Sequence, residues 1–122
     1  NPMYCTGVGK SILAYLPDEE VLKVWESSEI RVYTEKTITS LDTLRASLEQ
    51  VRRLGYAVDD EEHEPGVRCV AAPIFNWSGR PVAAVSISAP VFRMTEEFME
   101  QLLPKLLQLT RDISRMMGCT GL

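Results

Sequence analysis

A chain of 122 residues with 45% hydrophobic and 25% charged residues has the composition of one soluble globular domain, long enough to bury a core. A net charge of −4, with Arg52-Arg53 as the longest basic cluster, argues against non-specific nucleic-acid binding, which needs a basic patch. No apolar run reaches the roughly 18 residues of a membrane span. Three cysteines without a C-x-x-C pair point to free thiols in a reducing, cytoplasmic setting rather than to disulfides or structural zinc.

The chain opens on an organised segment almost at once, with no basic-then-apolar leader, as a fragment of something longer would. Thr6 is placed to cap a short helix whose apolar face is Ile12, Leu13, Tyr15 and Leu16 and which Pro17 stops. Gly9-Lys10-Ser11 resembles the end of a phosphate-binding loop, but Tyr4 stands where that motif needs a glycine. Ile12 likewise breaks the dinucleotide fingerprint. Two readings of the glycines stay open: free N–H groups at the helix start that hold a carboxylate, or close packing of the helix on a neighbour.

Asp18 is expected to cap a second helix with Val21, Leu22 and Trp25 on its buried face, followed by a loop over 27–37 with a short extended piece at Ile30–Tyr33. Leu41, Leu44, Leu48 and Val51 give one stripe of a helix over 41–54, with Ser40 as its cap and Gly55 as its stop. Three strands follow. Tyr56–Asp59 is short. Val67–Phe75 carries Val67, Cys69, Ala71 and Pro73 on one face, and Pro73 marks an edge or bulge. A turn at 76–80 leads to Pro81–Ser88, with Val82, Ala84, Ser86 and Ser88 on one face and Ala83, Val85 and Ile87 on a buried one. A last helix runs over 95–117 with a stripe of Phe98, Leu102, Leu106, Leu109, Ile113 and Met116 or Met117. Pro104 predicts a kink near Leu103 or two consecutive helices.

The run Asp59-Asp60-Glu61-Glu62-His63-Glu64 lacks EF-hand and H-E-x-x-H spacing, so no metal site is expected and most of its side chains read as solvated. Asp59 differs, because it closes a strand and its direction is fixed by the sheet. Ser86 and Ser88 share a face in an otherwise apolar strand. There they either bond neighbours or line a small polar pocket, since an unpaired buried hydroxyl costs roughly 1–3 kcal/mol. Cys69 reads as a small buried hydrophobe unless a base activates it, and His63 is the one histidine available. No G-x-S-x-G elbow occurs, and an acidic loop gives no reason for one carboxyl to stay protonated.

Gly7-Val8-Gly9-Lys10-Ser11, the segment from Arg53 to His63, the segment from Gly66 to Phe75 and the segment from Ala83 to Ser88 closely resemble, in order and gaps, the ligand-sensing domain of IclR-family bacterial transcription regulators. The D-x-E-H-x-x-G-x-x-C block, from Asp60 to Cys69, is the specific part of the match. The resemblance implies an α/β (α+β) domain with a GAF/PAS-like antiparallel sheet flanked by helices. Residues 1–122 form part of that effector-binding domain, with its first strands and the DNA-binding winged helix-turn-helix outside this sequence. It further implies a small carboxylate effector, assembly as a homodimer or tetramer, DNA contact only through the absent domain, no cofactor and no catalysis. By position, the effector pocket falls on Gly7, Val8, Asp59, Cys69, Ser86 and Ser88, with Val8 where a smaller residue is common in the family. Asp59 as an acceptor favours a hydroxy-, keto- or sugar acid over a dicarboxylate. Two other readings stand beside this one: a structural oligomerisation domain without ligand, and a Cys69-dependent enzyme acting on a small acid, which requires a thiol of lowered pKa.

Overall fold

Helix ends follow local capping chemistry. The computed structural model describes residues 2–121. The Thr6 hydroxyl accepts from the Gly9 amide at 3.1 Å and starts α1, Gly7–Leu13. Ser40 accepts from the Thr43 amide at the head of α3, Leu41–Leu54, and Gly55 ends that helix at φ 84°, a left-handed angle that glycine takes without strain. Between them, α2 spans Asp18–Ser27, and here the structure departs from expectation. Pro17 is its N-cap with no side-chain hydrogen bond, and Asp18 is its first helical residue. The Asp18 carboxylate instead takes both arms of Arg45, at 3.0 and 2.9 Å, which ties α2 to α3. The segment between α2 and α3 forms no strand at Ile30–Tyr33.

Strands β1 (Ala57–Asp60), β2 (Val67–Phe75) and β3 (Pro81–Pro90) form an antiparallel sheet of order β1-β2-β3. With period 2, Ala57 and Asp59, Cys69 and Ala71, and Ser86 and Ser88 share one face; Val58, Val70, Ala72, Val85 and Ile87 share the other. Pro73 lies beyond the last β1 pairing, Ala57 with Ala71, so it has a neighbour strand on one side only. A register irregularity follows at Ile74/Phe75. The expected edge or bulge is present in a strand that is otherwise central.

Helix α1, backed by α3, covers the first face, where a core of Leu13, Leu44, Leu48, Val51 and Ala57 forms with Tyr4 and Cys5. Helix α4, Glu96–Met116, covers the second face, where its Leu106 packs with Val70, Ala72 and Met94. Thus the domain is an α+β sandwich of helix, sheet and helix. Two expectations need correction on the α4 side. The face of Ala83, Val85 and Ile87 is not fully buried: Ala83 is exposed and the other two are half-buried, because β3 is an edge strand and α4 packs mainly on β2. Helix α4 also continues unbroken through Pro104, and its buried residues are Leu106, Thr110 and Ser114. Phe98, Leu109 and Met116 of the expected stripe are exposed. The polar pair is accommodated because Ser114 Oγ donates to the Thr110 carbonyl and accepts from the Phe75 amide.

Lys10 fastens α1 to the sheet. Only 3% exposed, it donates to the Val58 carbonyl at 2.7 Å and to the two oxygens of Glu62 at 3.0 and 2.8 Å. The acidic turn is therefore not simply solvated. Glu62 is buried. Glu61 accepts from the Gly66 amide and pairs with Lys36, and Asp60 pairs with Arg68. Burial pushes the Glu62 pKa up against the opposing pull of Lys10.

Two tests follow from this packing. A β-carbon on Gly9 would fall 2.3 Å from Met3 Cα and 2.4 Å from the Met3 carbonyl oxygen. Gly9→Ala is therefore expected to destabilise by about 1–3 kcal/mol in urea titrations despite alanine's better helix propensity. Lys10→Met leaves Glu62 buried and unpaired, for an expected loss of about 3–5 kcal/mol at pH 7. Because the orphaned carboxyl would hold its proton more tightly folded than unfolded, that deficit should shrink as the titration is repeated towards acid pH.

Candidate functional site

The face of the sheet under α1 is built of small side chains. Register places Asp59, Cys69 and Ser88 in one cross-strand row and Ala57, Ala71 and Ser86 in the next. A β-carbon on Gly7 would meet Cys69 Sγ at 3.1 Å and Ala71 Cβ at 3.2 Å, so the helix start rides close to these rows. Both open readings of the glycines thus have a physical counterpart. Gly7 and Gly9 do permit close packing. Meanwhile Thr6 accepts from the Gly9 and Lys10 amides, and among the described residues those of Gly7 and Val8 have no acceptor.

Where α1 begins, the rows open into a cavity of about 500 Å³. Gly7, Val8, Asp59, Cys69, Ser86 and Ser88 all border it. Ser86 and Ser88 are exposed rather than buried, so their hydroxyls face open space and need no protein partner. Sequence reasoning missed the rest of the wall: Met3, Thr6, Gly9, Ile12, His63, Glu64 and Val67. Ile12 could have been found one helical turn after Val8, and Val67 two residues before Cys69 on the same strand face. His63 stands half-buried with its ring edge-on to Tyr33, centroids 4.8 Å apart.

Asp59 is 7% exposed. One of its oxygens accepts from the Glu62 amide at 2.8 Å. Burial raises its pKa above the ordinary 3.8, opposed by the Glu62 and His63 amides and by the Lys10 charge. Burial also raises the Cys69 thiol, with the Ser88 and Ser86 hydroxyls pulling the other way, and pushes the Cys5 thiol up to about 12. The site therefore offers hydroxyls, a buried thiol, a buried carboxyl and a half-buried imidazole. Among the described residues no group of three or more His, Cys, Asp or Glu is clustered to hold a metal ion. None of the helices is long and apolar enough to cross a membrane.

Residues 1–115 match the family model described as the C-terminal domain of the bacterial transcriptional regulator IclR. The HTH-type transcriptional regulator KdgR of Escherichia coli is 42% identical over 118 residues, which are 97% of this chain and 45% of KdgR. The chain thus spans less than half the length of that relative. The crystal structure of the C-terminal domain of KdgR superposes with a TM-score of 0.91, covering 97% of this chain and 72% of that one. The inducer-binding domain of an Acinetobacter PobR double mutant, crystallised with 3-hydroxybenzoic acid, is 30% identical with a TM-score of 0.86, covering 93% of this chain and 66% of that one. The α+β sandwich described above is the fold of those regulatory domains, and this chain belongs to the IclR family of transcriptional regulators, matching its C-terminal domain.

Proposed function

We propose that this chain is the non-catalytic effector-binding module of a cytoplasmic transcription regulator, holding a small hydroxy-, keto- or sugar acid in the cavity at the start of α1. In this reading it assembles as a homodimer or tetramer and governs DNA binding by a winged helix-turn-helix domain outside this sequence. The observation that carries the reading is the convergence of Gly7, Val8, Asp59, Cys69, Ser86 and Ser88, from widely separated stretches, on one cavity. The serine hydroxyls and the spare Gly7 and Val8 amides suit a carboxylate, and Asp59 suits a hydroxyl. Val8 narrows the apolar wall beside them. The PobR domain, with its bound hydroxy acid, makes a ligand of this class reasonable here. An enzymatic role for Cys69 fits poorly, because a buried thiol of raised pKa is a weak nucleophile.

A binding role also accounts for a group that the fold would be better without. Because Asp59 holds its proton more tightly when folded, its contribution to stability is greatest below pH 3.8 and is lost as pH rises through its raised folded value. Asparagine keeps the acceptor for the Glu62 amide without the charge. Asp59→Asn is therefore expected to be more stable than the parent at pH 7 in urea titrations, with the two converging below about pH 4.

The function itself is tested by thermal unfolding against a panel of small carboxylates. An acid at about 100 times its dissociation constant should stabilise the chain by about 2.7 kcal/mol, a shift of several degrees. Ser88→Ala and Asp59→Ala should lose that shift. A folded chain that responds to no acid would overturn the reading.

A further inference from the structure

The cavity wall carries two carboxyls, Asp59 and Glu64, one imidazole, His63, and no lysine or arginine. The nearest ammonium, Lys10, has three donors, and Val58 and the two oxygens of Glu62 occupy all of them. The charged and titratable groups facing Asp59 are Lys10 from α1, Cys5 just before it, Glu62 and His63 from the turn, and Cys69 from β2. Among the described residues no lysine or arginine borders the cavity. A space of about 500 Å³ keeps any bound group within about 10 Å of Asp59, roughly one Debye length at 0.1 M salt. An anion bound there lies close to the buried Asp59 carboxyl, and the Lys10 ammonium that faces Asp59 is already engaged by Val58 and Glu62.

We propose that a carboxylate ligand enters this cavity together with one proton from solvent, shared between the Asp59 carboxyl and the bound acid, so that Asp59 selects ligands by charge. The inference rests on the effector-binding reading above and adds the coupling to it. Two carboxyls confined in one site cannot both ionise freely, and the pair keeps one proton to higher pH than either would alone. Burial has already moved Asp59 in that direction before any ligand arrives. Once protonated, Asp59 can donate to a keto or carboxylate oxygen and still accept from a hydroxyl, which suits one pocket to both acid types. A dicarboxylate would need a second proton and is disfavoured for that reason. No covalent bond changes; a proton leaves the buffer and an O–H forms in the site.

The test is isothermal titration of the 122-residue chain with lactate, gluconate and 3-hydroxybenzoate, each beside its neutral amide. Titrations run from about pH 5.5 to about pH 8.5 in buffers of two different ionisation enthalpies. Each acid that binds should take up close to one proton, and its affinity should weaken by up to tenfold per pH unit, while an amide takes up none. Asp59→Asn, which mimics the protonated group, should bind the acid with a flat pH profile and more tightly than the parent at the alkaline end. His63→Gln should retain the uptake. Acid binding without proton uptake, uptake that survives in Asp59→Asn, or uptake abolished in His63→Gln would each overturn the proton-sharing assignment and leave the effector reading intact. Absence of binding by every acid and amide to the folded chain would sink both.

Discussion

A buried ammonium obliges the rest of the chain to answer it. Lys10 sits in the first turns of a seven-residue helix, too short to be stable alone, and its three donors reach a strand carbonyl and a carboxylate on a turn. With the charge satisfied, α1 has one position on the sheet. The acidic turn is fixed from its other side by Thr34, which donates to the Glu61 carbonyl, and Thr37, which donates to that of Glu62. Both walls of the cavity therefore hang from one ion pair. It is better regarded as a positioning device than as a source of stability, since burying two charges recovers little net free energy.

The cavity exists because the sheet beneath α1 is built of small residues. Alanine, cysteine and serine at period 2 let Gly7 approach closely, and space remains where the helix has not yet begun. The opposite face shows the contrast. There Val70, Ala72 and Met94 close against Leu106 of α4 in an apolar cluster. One sheet thus presents a packing face and a chemical face, and the division follows from side-chain size and polarity alternating along the same strands.

Elements whose signals are local were legible in the sequence. Helix α3 has its serine cap, apolar stripe and terminal glycine within sixteen consecutive residues, Ser40 to Gly55, and the β2–β3 pairing follows from alternation around a turn. Lys10 was not legible, because its partner lies 52 residues away and nothing in a Gly-Lys-Ser tripeptide says which way the lysine points. Helix α4 misled for a different reason. It carries two adjacent apolar strips, and periodicity cannot say which one meets the sheet. Thr110 and Ser114 mark the buried strip but look like surface residues until their backbone bonds are seen. Of the candidate site, the six residues named from the family resemblance border one cavity. His63, Glu64 and Met3 escaped because a loop side chain takes its direction from tertiary packing.

The span of the Lys10 contacts has a kinetic meaning. The β2–β3 hairpin and the neighbouring β1 close short loops, whereas Lys10 must find Val58 across 48 residues and Glu62 across 52. Contacts of such separation carry the larger closure entropy, which favours forming the sheet before α1 docks. Without that docking the cavity lacks the wall formed by Gly7, Val8, Gly9 and Ile12. The cavity is thus a property of the finished fold and of no single segment of the chain.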